Sequence, residues 1–257
     1  MQFEMAPLSE VIYSVYFSTK SFPSTAFGRY QDSISKRFPV EAREETPLHI
    51  SLDETNTNDF AEESQLPPLR RVIFETVGKS ELIQLQQDAF FFNWRRKSDD
   101  DKYSNFQTIF PRFLEEYHEF VAWFKSNLGE SVTPKRYGLT YINFIGAKDD
   151  WKSPKDHPKI FTFVGKGWGN GLVEPEDQGS YLRFSAPLGR VLVVLRPGSL
   201  AETPEKERGL SFELWAGSKT ADAPIEDWFR QAHDFIDLAF RELTTPEAKK
   251  GWKPIEK

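Results

Sequence analysis

The residues best suited to chemistry cluster in one short segment. Gln84, Gln86, Asn93, Trp94, Arg95 and Arg96 follow one another within a few turns of chain, and Tyr141 and Asn143 recur two apart further along. An arginine on such a surface can grip a carboxylate or phosphate with two parallel N–H groups, while a tryptophan supplies stacking area. The same residues also read as a polar sheet surface with an interior asparagine satisfying backbone groups. Both readings stand at this level.

Other chemistry finds little footing. The run Gly165-Lys166-Gly167-Trp168-Gly169-Asn170-Gly171 looks like a phosphate cradle, because glycines let backbone N–H groups approach an anion. It ends in neither the lysine-serine/threonine pair of a P-loop nor a helix, and acidic Leu172–Gly179 with Pro175 follows. A hairpin tip that offers Trp168 to a partner is the expected form. None of the four histidines pairs with another at ligand spacing, so no metal is assigned. His233 beside Asp234 reads as a solvated or capping group on a helix flank, with a buried functional imidazole as the sharper alternative. No GxSxG elbow occurs, and no carboxylate pair stands out among 39 acidic residues. The sequence assigns no catalytic residue and no cofactor.

Composition narrows the classes further. The chain lacks cysteine, which excludes disulfide frameworks, thiolate metal sites and cysteine nucleophiles. Aromatic residues make up 15%, with 23 Phe and 7 Trp, so rings must fill the core. A net charge of -6 opposes sequence-independent nucleic-acid binding, although Arg70, Arg71, Arg95, Arg96 and Lys97 form a local basic cluster. Met1–Pro7 lacks a basic segment followed by an apolar one, and no run is long enough to span a bilayer; a cytoplasmic protein without membrane contact is expected.

These side chains need elements to hold them. Alternation and β-branched content predict strands at Glu10–Phe17, Arg71–Val77, Glu81–Gln86, Ala89–Arg95, Tyr137–Ile145, Ile160–Val164, Tyr181–Ala186, Arg190–Arg196 and Leu210–Ala216, with a short one near Leu48–Leu52. On the third of these, Phe90, Phe92 and Trp94 share one face while Phe91, Asn93 and Arg95 share the other. Helices are predicted at Thr25–Arg37, from Phe106 to Leu128 with Ser104 and Gln107 as a capping box, and over Pro224–Leu243 with Asp222 as N-cap. Asp53–Pro68 reads as an exposed acidic loop.

Both halves, 1–130 and 131–257, run through several strands into one long amphipathic helix. The predicted class is α+β: curved antiparallel sheet packed on two long amphipathic helices, arranged as a pseudo-duplication within one unit.

Four segments then carry a resemblance: PLSEVIYSVYF at Pro7–Phe17, LIQLQQDAFFFNWRR at Leu82–Arg96, GLTYINFI at Gly138–Ile145 and AHDFIDLAFRELTT at Ala232–Thr245 with Trp252 beyond. The NWRR and YIN pieces are the most specific. Together they resemble a sporadically distributed family of uncharacterised bacterial and archaeal proteins of about this length. Where that family carries arginines flanking the YIN motif, this chain has Thr140 and Phe144. Patchy distribution resembles that of antiviral defence and toxin–antitoxin modules, which implies an accessory subunit bound to a protein encoded by a neighbouring gene.

Three functions follow as expectations. The first is a non-enzymatic interaction protein presenting Trp168, Trp215 and Trp252 to a partner. The second is a sensor or enzyme for a nucleotide or metabolite, using a sheet–helix cavity with Arg95, Asn93, Gln84 and Tyr141 at its polar end. Nucleic-acid binding through the Arg/Lys cluster ranks third. The sequence leaves self-association open.

Overall fold

A computed structural model describes residues 2–19, 22–48, 71–97, 105–165, 172–199 and 208–255. The strands are β1 (Gln2–Phe3), β2 (Leu8–Ser18), β3 (Arg43–Glu45), β4 (Arg71–Glu75), β5 (Glu81–Leu85), β6 (Ala89–Arg95), β7 (Thr133–Ile145), β8 (Ser180–Ala186), β9 (Gly189–Ser199), β10 (Arg208–Gly217) and β11 (Pro254–Ile255). The helices are α1 (Thr25–Ile34), α2 (Phe106–Leu128), α3 (His157–Ile160), α4 (Ile225–Leu243) and α5 (Pro246–Gly251). Nine strands form one sheet in the order β3-β4-β5-β6-β2-β7-β10-β9-β8, and β1 pairs with β11 separately.

This overturns the expected plan of two long helices gripped by curved sheet in a pseudo-duplication. Five helices accompany the nine-stranded sheet among the described residues, and three of them run only four to ten residues. The expectation equated sheet-packing helices with long apolar stripes. A short helix buries side chains without one: α1 encloses Ala26, Phe27, Tyr30 and Ile34.

Local chemistry explains other departures. Ile160–Val164 has strand-forming residues, yet Ile160 closes α3, and the Phe161 N–H donates to the His157 carbonyl at 2.8 Å. Thr245-Pro246 ends α4 as expected, and also begins α5: the Thr245 hydroxyl accepts from the Ala248 N–H, and proline occupies the first turn, where its missing N–H costs nothing. Asn105 caps α2 by accepting from the Thr108 N–H, while Ser104 lies outside the described residues. Gly129 closes α2 with φ 71°, a conformation that glycine adopts without a Cβ clash. Asp222 lies ahead of α4 and accepts from the Thr220 hydroxyl at 2.7 Å. The predicted acidic loop Asp53–Pro68 lies outside the described residues, as does most of the predicted strand near Leu48–Leu52.

Two compact units divide the chain, each discontinuous in sequence. One comprises Val11–Leu139 with Gly217–Phe229, and the other comprises Met1–Glu10, Thr140–Ala216 and Arg230–Lys257. In the first, Tyr13 of β2 stacks on Phe113 of α2 at 5.0 Å, and Phe229 approaches Phe113 at 4.9 Å. Phe90 of β6 stacks on Phe120 of α2 at 5.1 Å. Burying each such ring stabilises by about 1.5–3 kcal/mol. In the second unit, Phe212 of β10 meets Phe161 and Phe240, and Trp252 packs on Phe240 and Phe3.

Candidate functional site

The strand register decides which polar residues share a face. Gln84 pairs with Ile73 of β4 and Phe91 of β6, and Leu82 pairs with Asn93. Directly paired residues project to the same side, so Glu75, Gln84, Phe91, Asn93 and Arg95 share one face. Phe90, of opposite parity, packs on Tyr117 and Phe120 of α2. The polar face therefore turns away from α2.

Trp94 has the parity of Phe90 and is 5% exposed, so it belongs to the helix-facing side. It cannot stack on a ligand held by Arg95, which corrects its place in the expected constellation. The remaining members are engaged with one another. The Gln84 amide donates to Asn93 Oδ1 at 2.8 Å, both being buried. Gln86 accepts from the Leu48 N–H at 2.7 Å and donates to the Leu48 carbonyl at 3.2 Å, fixing the backbone that follows β3. Arg95 reaches Glu75 at 3.8 Å. Glu75 also accepts from Arg43 at 3.2 Å, and Glu45 accepts from Arg71 at 2.5 Å and from Arg43.

Two arginines of the basic cluster, Arg71 and Arg95, thus meet carboxylates, which removes positive charge that a phosphate would otherwise meet. Arg96 and Lys97 follow β6 half-buried, while Arg70 lies outside the described residues.

Tyr141 and Asn143 belong to the other unit. The Tyr141 hydroxyl lies 2.9 Å from His233 Nδ1 on α4, and Asn143 Nδ2 donates to the Phe212 carbonyl at 3.0 Å. Burial lowers the His233 pKa more than nearby Asp237 and Asp234 raise it, so the imidazole is held neutral and can exchange a hydrogen bond with the phenol. The sequence placed His233 on a helix flank but contained no sign of this pairing.

Of the three tryptophans expected at a partner surface, Trp168 lies outside the described residues. Trp252 is 3% exposed, and its indole N–H donates to Asp149 at 2.9 Å. It anchors the core and presents nothing to a partner. Trp215 is half-buried and donates to Glu213 Oε2 at 2.9 Å.

Glu213 centres a cluster the sequence reading missed. This carboxylate, 1% exposed, also receives the Ser211 hydroxyl at 2.6 Å and Arg196 Nε at 2.9 Å. The signal was available in the alternation Ser211, Glu213, Trp215 along β10. The same logic exposes a face on β8 and β9. Tyr181 pairs with Val194, Arg183 with Leu192 and Ser185 with Arg190, while Phe184 on the opposite parity turns to Phe235 of α4. Tyr181 is 62% exposed, and no residue of β8 is fully buried.

No protein-family model and no curated protein matches this chain. Among the described residues no group of three His, Asp or Glu is placed to hold a metal ion. No described helix is long and apolar enough to cross a membrane.

Proposed function

We propose that the chain is a non-enzymatic, cytoplasmic interaction protein: an accessory subunit that binds another protein. The family resemblance ties that role to a bacterial defence or toxin–antitoxin module, with the partner encoded by a neighbouring gene. The observation that carries the reading is the exposed β8 and β9 face. It offers tyrosine, arginine and aliphatic side chains, the types enriched where proteins bind one another. The engagement of Gln84 with Asn93 and of Gln86 with Leu48 supports it too, since these donors and acceptors serve the fold. Affinity purification from the native host tests the reading. Recovery of one protein in stoichiometric amount is expected, and a chain that retains no protein would refute it.

A second reading keeps a small-ligand sensor or enzyme, and the Tyr141–His233 pair favours it, because a neutral imidazole against a phenol can relay a proton. A nucleotide or metabolite that raises the melting temperature of the wild type but not of Tyr141→Phe would favour this reading over the first.

A further inference from the structure

The nine-stranded sheet ends at β3 and at β8, and the two ends differ in kind. β3 is three residues long and reads Arg-Glu-Glu, a short charged edge of the sort that discourages another strand from pairing. β8 runs seven residues, Ser-Tyr-Leu-Arg-Phe-Ser-Ala, with neither proline nor lysine. Among the described residues it pairs only with β9. A long edge with apolar side chains is a template for strand addition.

Its side chains specify what would add. On the face turned from α4, Tyr181 and Arg183 of β8 stand beside Arg190 and Arg196 of β9. Among the charged residues of that face on β8, β9 and β10, the one carboxylate, Glu213, already holds Arg196 at 2.7 Å. The face is locally positive in a chain of net charge -6. On the opposite face Leu182 and Phe184 are only half-buried. A strand seated against β8 would set alternate side chains beside Arg183 and beside Leu182 and Phe184.

We propose that β8 is a docking edge for an extended segment of a partner protein that alternates acidic and apolar residues. Main-chain hydrogen bonds supply affinity, and the acidic positions beside Arg183 supply the choice of partner. A second copy of this chain fits worse, because antiparallel self-pairing centred on the strand sets Arg183 against itself. The proposal rests on the interaction-protein reading and names its partner's chemistry.

The test uses the full chain and a labelled peptide of about ten residues alternating glutamate and valine, with a lysine–valine peptide as control. Saturable anisotropy is expected with the acidic peptide only, together with slowed amide exchange over Ser180–Ala186. Arg183→Glu should weaken binding about tenfold, and Arg183→Lys should largely restore it. Absence of saturable binding, protection at other strands, equal binding of both peptides, or a dimer whose protected amides are those of β8 would each overturn the proposal. A protein recovered stoichiometrically from the host by wild type and Arg183→Glu alike would leave the interaction reading intact while rejecting this edge.

Discussion

Gln84 and Asn93 show how a polar residue can look functional in a sequence and serve the fold. Each is buried on a sheet face, and each satisfies the other at 2.8 Å. Asn93→Ala should cost about 1–3 kcal/mol, the penalty of leaving the Gln84 amide unsatisfied, whereas the Gln84→Leu/Asn93→Leu double variant should recover much of that loss in urea unfolding. His157 and His233 make a second residue-level prediction. Burial lowers both folded pKa values, against Asp156 beside His157 and against Asp237 and Asp234 beside His233. Below about pH 6.5 the unfolded chain therefore binds more protons than the folded one. Their contribution is complete above that pH and declines as pH falls through it. The urea midpoint should drop between pH about 8 and about 5.5, and less so in His157→Phe. Asp156 adds nothing in that window. Burial raises its carboxyl pKa, but the Lys159 ammonium and the Lys152 and Ser153 N–H groups outweigh burial, so its share is lost only in more acidic solution.

At the scale of elements, a buried carboxylate fixes the end of α1 to α2. Glu116 is fully buried and accepts Arg37 through both oxygens at 3.0 Å, with Arg112 at 3.2 Å. Glu116→Ala should lower stability by about 2–3 kcal/mol, since two partly enclosed arginines lose their counter-charge. Glu119→Ala removes only the exposed arm of the network and should cost less than about 1 kcal/mol by the same unfolding measurement. Much of this layer was legible: the meander β4–β6, the stripe of α2 and the parity that separates Phe90 from Asn93 all follow from period-two and period-3.6 patterns. What those patterns could not carry is pairing across long sequence separations. Glu116 sits in the helix as an apparent surface glutamate, and nothing local marks Arg37 as its partner. Short α3 and α5 leave too few residues for a helical period to register. The candidate site failed for a related reason. Side-chain spacing placed Gln84, Asn93 and Arg95 together correctly, but could not reveal that Asn93, Glu75 and Leu48 already engage them.

For the whole molecule, the contrast between the two sheet ends gives the account its functional content. A short charged edge at β3 and a long, half-apolar one at β8 imply that one end is closed to strand addition and the other is open to it. The central claim is that the chain works by binding another protein. The most direct measurement is affinity purification from the native host with wild type and Arg183→Glu side by side, scored by the stoichiometry of what remains bound after a high-salt wash. The account predicts one protein at near-equimolar ratio with the wild type and its loss with the variant. A wild-type chain recovered without any bound protein would contradict it.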